Sequence, residues 1–470
     1  MVKPSRAGVR EILHLALPII LSMASATVAS FIDTWFVALV GTAEVAAAMP
    51  AGITAYTLTA LPLGITQCVS TFASQALGRR RLGEGAVFAW QGLYLSIVVG
   101  IAAFVLWPVA PLFFSSFGHD PEVVALEVLY FRIRLWGVGV GVAIGALNGF
   151  FYGIHRPRLP LVAMIGGNIV NVILCYVLVF GKMGMPALGL AGAAIAFVLS
   201  FIFQFAILAW AFLSAEFRQE FATLTTWAFA WDHLRQLVRI GWPAGMHSTI
   251  DVLGWGVLIV LLVGRFGKEQ LAASNIAIQY MTISFMPGIG LAQALTAIVG
   301  RYIGEGKREI AIQRVYEGLL IALGYMAFMG VVYVVCRRPF IAFFNTDPLV
   351  IQVGSNILLC VAMFQIFDAM NFTFSGALRG AGDTLWPAVL IAGLSVSIFA
   401  PLSLGAVAYT NWEALGPWIA GTLYSVILGL VLWWRFARGK WQEIDIFARR
   451  TTNEKKGAVQ EPPLLSSSEL

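Results

Sequence analysis

Long apolar stretches, separated by short polar segments, dominate the pattern of residues along this chain. Each stretch is long enough to cross the hydrocarbon core of a bilayer as a helix, which takes about 20 residues. The stretches are continuous rather than alternating, which favours helices over the strands of a membrane barrel. We predict an all-α integral membrane protein with twelve membrane-spanning helices, at approximately residues 12–40, 48–77, 86–115, 122–154, 158–181, 187–215, 235–263, 273–303, 310–344, 348–378, 384–410 and 414–436.

Short motifs occur twice in the chain, separated by nearly half of its length. Three blocks recur at one spacing to within a residue: Gly41 with Gly267, Gly64-x-x-Gln67 with Gly290-x-x-Gln293, and Gly149-x-x-x-Gly153 with Gly376-x-x-x-Gly380. Chance rarely produces three such coincidences, so we interpret the chain as an internal duplication. Duplicated membrane proteins with a cleft between two lobes are mostly transporters.

The duplication predicts the domain organisation. With six spans in each half, both halves cross the membrane in the same direction and are related by a pseudo-twofold axis along the membrane normal. We predict an N-terminal lobe at 1–215, a cytoplasmic connector at 216–234 and a C-terminal lobe at 235–440. Residues 441–470 are rich in Ser, Glu and Pro and are predicted to form a disordered cytoplasmic tail.

The distribution of charge predicts the orientation in the membrane. Of the 30 lysines and arginines, 23 fall in the segments on the side of the two termini and 5 on the opposite side. The basic side faces the cytoplasm, so both termini are predicted to be cytoplasmic in a multi-pass protein of the cell membrane. The same basic segments explain the net charge of +6. This charge therefore favours contact with membrane lipid and does not indicate nucleic-acid binding.

Three acidic side chains lie inside predicted spans: Asp33 in span 1, Asp251 in span 7 and Asp368 in span 10. An acid near the bilayer centre costs roughly 2.5–3.5 kcal/mol on insertion scales, so it usually serves a function. A carboxylate that faces a cavity can hold a proton, a sodium ion or an organic cation, and can exchange one for another. These acids are the candidate ion-coupling residues of a cation antiporter. The alternative is that they pair with internal donors and only hold helices together.

Other polar residues accompany these acids within the spans. Gln365 and Asn371 share a helical face with Asp368, and His247 lies four residues before Asp251. Such a stripe should face a water-filled cavity or a polar partner. The candidate cavity-lining residues are Asp33, Gln67, Asn168, Asn171, His247, Gln279, Gln293, Gln365 and Asn371. Helix packing is an equal alternative for the two helix-5 asparagines and for the glutamines of spans 2 and 8, and the favoured one for His247.

Arg132 and Arg134 are the two basic residues inside a predicted span. We expect them to pair with Glu127 or with interfacial groups rather than with a transported compound. They are too few to neutralise all three acids.

Several motifs resemble those of multidrug and toxic compound extrusion (MATE) transporters, over residues 8–436. The most specific are Ala16-Leu17-Pro18 with Ile32-Asp33-Thr34, Gly241-Trp242-Pro243 with Asp251-Val252, and Phe364-Gln365-Ile366-Phe367-Asp368-Ala369 with the following Gly376-Ala377-Leu378-Arg379-Gly380. The resemblance implies two six-helix lobes that form a V, and alternating access. It also implies export of cationic, amphipathic compounds driven by inward Na⁺ or H⁺. We expect no cofactor, and a monomer because each chain holds its own cleft.

Within that family, the pattern of acids resembles the NorM branch. Asp33 matches an acid implicated in coupling and drug binding, whereas Asp251 and Asp368 match acids tied to sodium binding and are the candidate Na⁺ ligands. Two positions depart from the pattern: Phe364 stands where NorM members can carry Tyr, and Cys175 where relatives often carry Asp or Asn. The coupling ion therefore stays open between Na⁺ and H⁺.

Two other functions fit parts of the pattern. A lipid-linked precursor flippase would share the two-lobe architecture, but its cavity would be basic in order to hold pyrophosphate, whereas the deep charges here are acidic. An integral membrane enzyme such as a prenyltransferase would need paired Asp-rich Mg²⁺ motifs, and the sequence contains none of the DDxxD kind. The four cysteines show no CxxC spacing that would indicate zinc. We therefore expect a transporter rather than an enzyme.

Overall fold

The computed structural model describes residues 5–251, 253–254 and 262–447, and these residues are helical almost throughout. The helices are α1 (Arg6–Ala38), α2 (Thr42–Gln67), α3 (Val69–Gly78), α4 (Leu82–Ala103), α5 (Ala110–Ser115), α6 (Pro121–Gly153), α7 (Arg158–Phe180), α8 (Gly189–Phe212), α9 (Ala215–Phe221), α10 (Trp231–Asp251), α11 (Lys268–Gly304), α12 (Arg308–Phe344), α13 (Pro348–Ala381), α14 (Leu385–Leu394), α15 (Ala400–Tyr409) and α16 (Leu415–Ala437). A π-helical segment, Ser395–Phe399, joins α14 to α15.

Within the described residues, 11 helical segments are long and apolar enough to cross a membrane. They follow the predicted spans within a few residues at most ends; α6, for example, is Pro121–Gly153 where 122–154 is predicted. The predicted seventh span begins as α10 and runs into residues 252 and 255–261, which lie outside the described residues. The predicted all-α, multi-pass class of the protein is confirmed.

The two halves meet along a pseudo-twofold axis, where equivalent residues of the two repeats contact each other. Gln293 Nε2 donates to Gln67 Oε1 over 3.2 Å, and these glutamines hold the same place in the duplicated motif. Gly78 and Gly304 form a second such pair, since a Cβ built on Gly304 would lie 3.0 Å from the Cα of Gly78. Contact between equivalent positions is the signature of a twofold relation. The predicted relation between the halves is therefore confirmed.

The duplicated Gly-x-x-x-Gly motif packs in the same way in both halves. A Cβ on Gly153 would lie 2.8 Å from the carbonyl oxygen of Ser70 in α3. A Cβ on Gly380 would lie 2.5 Å from the carbonyl oxygen of Thr296 in α11. Backbones that approach this closely in a membrane require residues without a side chain. The motif thus sets how α6 and α13 cross their neighbours.

Cross-lobe hydrogen bonds and ion pairs concentrate at the end of the molecule that carries both described termini. Gln75 Nε2 donates to the carbonyl oxygen of Gly380 over 3.0 Å. Glu11 of α1 forms an ion pair of 2.8 Å with Arg314 of α12. The lobes therefore form a V whose closed end carries the termini, hereafter the terminal end.

The connector is shorter than the predicted 216–234. Helix α10 already begins at Trp231, and Asp232 lies in its first turn, where a negative charge complements the helix dipole. Helix α9 buries Phe217 and Phe221 against the first half, so the connector is also an ordered, amphipathic segment. The lobe boundaries themselves stay a prediction.

The predicted disorder of the tail does not begin at residue 441. Trp441 is buried and stacks on Phe436, with ring centres 5.0 Å apart. Phe447 is buried in the apolar core of the first lobe, 6.2 Å from the rings of both Phe72 and Phe88. This segment folds because its apolar side chains find a site on the opposite lobe, which composition alone does not reveal. The remaining residues, 448–470, lie outside the described part of the chain.

Candidate substrate cavity and ion-coupling site

A cavity of about 750 Å³ lies inside the first lobe. Its walls come from α1, α2, α6, α7 and α8, and α11 of the second lobe contributes two side chains. Six of the predicted cavity-lining residues are among its walls: Asp33, Gln67, Asn168, Asn171, Gln279 and Gln293. The small residues that precede Asp33 on α1, including Ala26 and Ala29, line it as well.

Asp33 is held at the cavity wall by side chains of α7. Asn171 Nδ2 donates to Asp33 Oδ2 over 2.5 Å, and the Cys175 thiol lies against the same carboxylate. Asn168, one turn earlier, donates to the hydroxyl of Ser25 over 2.9 Å. Asp33 Oδ1 accepts no hydrogen bond from the described residues. The carboxylate of Asp33 is therefore oriented by α7, and its second oxygen is buried beside the cavity wall.

Arg134 lines the same cavity, contrary to the prediction of a partner outside it. Its guanidinium carbon lies 3.4 Å from the centre of the Phe197 ring, and its Nη1 donates to the Tyr130 hydroxyl over 3.4 Å. Asp33 is within electrostatic range but not in an ion pair with it. The cavity therefore carries one acid and one base that are held apart by separate partners.

Glu127 does not pair with either arginine of α6. It is buried and shares a hydrogen bond of 2.9 Å with His119 Nδ1, from the loop before α6. Arg132 donates instead to the carbonyl oxygen of Trp107 over 3.2 Å. The predicted pairing with Glu127 is wrong because the preceding loop places His119 on the carboxylate first.

Glycines of α6 leave the room for this cavity. The duplicated Gly-x-x-x-Gly motifs relate α6 to α13, since Gly149 corresponds to Gly376. At the same spacing, three cavity-lining glycines correspond to larger residues of α13: Gly137 to Phe364, Gly141 to Asp368, and Gly145 to Phe372. A Cβ on Gly137 would meet only Val198 at 3.4 Å, so its missing side chain leaves space, whereas Gly145 lies against Leu63 and Thr66 of α2. The sequence carries this signal, although reading it requires aligning the two halves.

Phenylalanines fill the corresponding space in the second lobe. Phe285 of α11 packs against Phe372 and Phe364, with ring centres 5.4 Å and 6.3 Å apart. Its counterpart in the first half, at the spacing that relates Gln293 to Gln67, is Thr59, which lines the cavity. At these equivalent positions the first lobe carries small side chains beside a cavity, whereas the second lobe carries aromatic rings that pack together.

The two second-lobe acids lie within electrostatic range of each other. Asp368 of α13 is only 4% exposed and hydrogen-bonds the hydroxyl of Ser425 in α16. Asp251 of α10 lies within electrostatic range of Asp368 and pairs with His247, Nε2 to Oδ2 at 3.1 Å. Two carboxylates within electrostatic range repel each other, and a proton or a cation bound between them would relieve that repulsion. The arrangement suits a small cation.

Hydroxyl groups near these acids come from α16. Tyr424 is buried and within electrostatic range of both Asp251 and Asp368, and Ser425 is the next residue. Either hydroxyl can provide a neutral oxygen ligand in place of the one that a tyrosine would offer at position 364. In the described part of the chain, no group of three or more His, Cys, Asp or Glu is placed to hold a metal. A sodium ion here would therefore depend on two carboxylates and neutral oxygens.

Gln365, Asn371 and His247, three of the candidate lining residues, are not among the walls of the first-lobe cavity; for His247, helix packing is the favoured alternative. Gln365 is fully buried and donates to the hydroxyl of Ser284 over 2.8 Å. Asn371 accepts a hydrogen bond from Ser375, four residues on in the same helix. The polar residues Gln365 and Asn371 of α13 thus hydrogen-bond to partners within their own lobe.

A duplicated, multi-pass helical bundle with a polar cavity inside one lobe defines a membrane transporter. The family model of MatE matches this chain twice, over residues 18–177 and 245–404. The second match begins at the same spacing from the first as the duplicated Gly-x-x-x-Gly motifs, which confirms the duplication. The chain belongs to the MatE family, and it is a transporter, not an enzyme.

Two curated relatives carry the name "Probable multidrug resistance protein NorM". The one from Thermotoga maritima is 29% identical over 376 residues, which cover 78% of each chain. The one from Xylella fastidiosa is 28% identical over 437 residues, which cover 92% of each chain.

Solved structures of MATE transporters share the fold. One, described as the outward-facing conformation of a multidrug resistance MATE family transporter, superposes with a TM-score of 0.83 at 20% identity and covers 94% of this chain and 100% of its own. A eukaryotic MATE transporter superposes with a TM-score of 0.84 at 19% identity and covers 93% and 97%. At these identities the likeness concerns the fold.

Proposed function

We propose that this protein exports cationic, amphipathic compounds from the cell in exchange for Na⁺ or H⁺. The observation that carries the proposal is the first-lobe cavity of about 750 Å³ with Asp33 oriented in its wall. The name of the NorM relatives, multidrug resistance protein, supports the same conclusion. The protein acts as a monomer, because the cavity and the second-lobe acids both belong to one chain.

The orientation of the protein in the membrane follows from the distribution of its basic residues. The basic terminal side faces the cytoplasm under the positive-inside rule, so both termini are cytoplasmic. The V is closed at that end, and the cavity then faces the outside. This conformation is the one from which an exported compound would be released.

Asp33 anchors the positive group of the substrate. Its carboxylate offers a charge-assisted contact at the cavity wall, and the surrounding walls carry aromatic rings from Tyr56, Tyr130 and Phe201. A cation over such rings is further stabilised by their quadrupoles. An amphipathic cation would thus place its charge on Asp33 and its apolar body on the rings.

Asp251 and Asp368 bind the coupling ion. Their carboxylates are the only pair of deep acids that the described residues of the second lobe bring together. Na⁺ would bridge them with help from Ser425, whereas H⁺ would bind to one of them. Either ion removes the repulsion between the two charges, so either one can serve as the driving ion.

Helices α2 and α10 connect the ion site to the cavity. Gly245 of α10 packs directly on the backbone of α2 at Leu61. Tyr56 of α2 lines the cavity and lies within electrostatic range of Asp251. A shift of α10 on ion binding would therefore move a cavity wall. Ion and substrate would disfavour each other, and such coupling is reciprocal.

The decisive experiment is ethidium efflux from proteoliposomes with imposed Na⁺ and H⁺ gradients in turn. Gradient-driven efflux that is lost in Asp368→Asn is expected, and the effective gradient identifies the ion. Asp347→Asn is the matched control, because Asp347 caps α13 outside the spans and asparagine caps a helix as well. Normal efflux by Asp368→Asn would overturn the second-lobe ion site.

A lipid-linked precursor flippase is the alternative that the same assay addresses. Arg134 is the one basic side chain among the residues that line the cavity, and Asp33 lies within electrostatic range of it. A pyrophosphate would require more positive charge than this. Absence of ethidium efflux under both gradients, with the protein folded, would favour the flippase or an exporter of narrow specificity.

A further inference from the structure

Helix α1 carries a continuous exposed stripe on the side opposite to the cavity. Its members recur every three, four or seven residues and are half exposed or more: Leu17, Leu21, Val28, Phe31 and Trp35. At 100° per residue this face lies across the helix from Asp33. No described element covers it, so it faces lipid, with Trp35 near one interface. Toward the terminal end the same face continues with the exposed residues His14 and Arg10.

A crevice of about 540 Å³ opens beside this basic end of the stripe. Arg10, Glu11 and His14 of α1 line it, together with His155 from the loop after α6 and Arg301 of α11. Its walls therefore come from both lobes. Four of these five side chains are basic residue types.

The single acid of the crevice is already neutralised. Glu11 pairs with Arg314 at 2.8 Å and with Arg301 at 3.4 Å. Arg10 and His14, by contrast, form no ion pair with the described residues. The uncompensated charge of the crevice is therefore positive and lies on its exposed side.

Arg301 is held in place by the other lobe. Its Nη1 donates to His155 Nδ1 over 3.3 Å, and His155 Nε2 donates to the carbonyl oxygen of Ala297 over 3.2 Å. The guanidinium has five N–H donors, and its bonds to His155, Glu11 and Glu305 leave others for a ligand. An anion at Arg10 can therefore reach a preoriented donor on the second lobe.

We propose that this crevice binds the phosphate of an anionic phospholipid, with an acyl chain along Leu17 and Leu21. The helix rises about 16 Å from Arg10 to Leu21, close to half of the roughly 30 Å hydrocarbon core. Basic crevices between membrane helices at the cytoplasmic side bind such headgroups. Because Arg10 and Arg301 belong to different lobes, the bound phosphate bridges them and stabilises the closed terminal end.

The test measures lipid binding to the delipidated full-length protein in detergent by native mass spectrometry. Phosphatidylglycerol is expected to bind about tenfold more tightly than phosphatidylcholine of the same chain length. The double variant Arg10→Gln, His14→Gln should lose this preference, whereas Arg10→Lys should keep it. Both side chains are exposed, so the substitutions leave the core intact. Arg6→Gln, at an exposed position on the same helix outside the crevice, is the matched control.

Three results would overturn the proposal. The first is equal binding of the two lipids by the unaltered protein, and the second is an equal loss of preference in Arg6→Gln. The third distinguishes the source of the phosphate: if glycerol phosphate alone displaces phosphatidylglycerol at equal concentration, the crevice binds soluble phosphate esters rather than lipid. Weak or absent competition by glycerol phosphate supports the lipid assignment, because the acyl contact is then required.

Discussion

The two lobes share a duplicated sequence, yet equivalent positions in them carry side chains of very different volume. In the first lobe, Gly137 and Gly145 line a cavity of about 750 Å³. In the second, Phe364 and Phe372 occupy the equivalent positions and pack around Phe285. Side-chain volume at a few positions, rather than a change of fold, separates the two. Under the proposed function, such substitutions after duplication would let one lobe hold a bulky compound and the other a small ion.

The acidic side chains also differ between the first and the second lobe. Asp33 lines the first-lobe cavity, where Asn171 of α7 orients its carboxylate. Asp368, which replaces Gly141 in the repeat, is buried within range of Asp251. A carboxylate in a large cavity can meet an organic cation, whereas a buried one admits only a small ion. The comparison can be tested by changing each lobe in turn.

Removal of the charge at Asp33 should have the largest effect on drug affinity. Asp33→Asn is expected to weaken ethidium binding about 30-fold, since a charge-assisted contact contributes about 2 kcal/mol. Fluorescence polarisation of ethidium with the purified protein measures this, and Asp33→Glu should recover part of the affinity. Unchanged affinity together with an unchanged pH dependence would show that Asp33 only holds α1 to α7.

Filling the cavity should have the next largest effect. Gly137→Phe places in the first lobe the side chain that the second lobe carries at Phe364, and a Cβ there meets only Val198 at 3.4 Å. We expect about tenfold weaker ethidium binding from the lost volume. Gly324→Phe is the control, because a Cβ at Gly324 meets nothing within 4 Å. Equal losses in both variants would contradict the assignment of the cavity.

Removal of a large side chain from the second lobe should lower the stability of the protein. Its drug affinity should stay within about twofold of that of the unaltered protein. Phe364→Ala removes a fully buried ring, which typically costs about 3 kcal/mol. Thermal unfolding of the purified protein should shift down by several degrees. If ethidium affinity fell as much as in Gly137→Phe, the second lobe would also contact the drug, and the division between the lobes would fail.

The contact between the two lobes at His155 should make the stability of the protein depend on pH, and it should not affect drug binding. Burial and the nearby Arg301 lower the pKa of His155, which lies outside the spans, from 6.5 to about 4. Between these values the unfolded chain binds a proton that the folded chain excludes. Stability from this residue is therefore present above pH 6.5 and lost as the pH falls toward 4.

His155→Gln should flatten that part of the stability curve. Melting temperatures between pH 7 and pH 4 would show it, with His14→Gln as the control at an exposed position. If the melting temperatures of the unaltered protein and of His155→Gln changed with pH in parallel, His155 would have no such role at the contact between the lobes.

The sequence alone was sufficient for the spans, the duplication and the acids. A span is set by local composition and by the thickness of the bilayer, so α6 could be placed within a residue. Asp33, Asn168 and Asn171 were identified because polar groups in a span are rare enough to stand out. The glycine run of α6 was also visible, and comparison of the two halves at one spacing shows which lobe carries the small side chains.

Tertiary structure alone decided which side chains meet across helices. Arg134 reaches the cavity and Gln365 turns to Ser284 because helix rotation depends on packing against neighbours, which the pattern of one helix does not specify. The docking of Phe447 on the opposite lobe is of the same kind, since its partners Phe72 and Phe88 lie far away in the chain. Composition and length determine what crosses the membrane, and packing determines what faces the cavity.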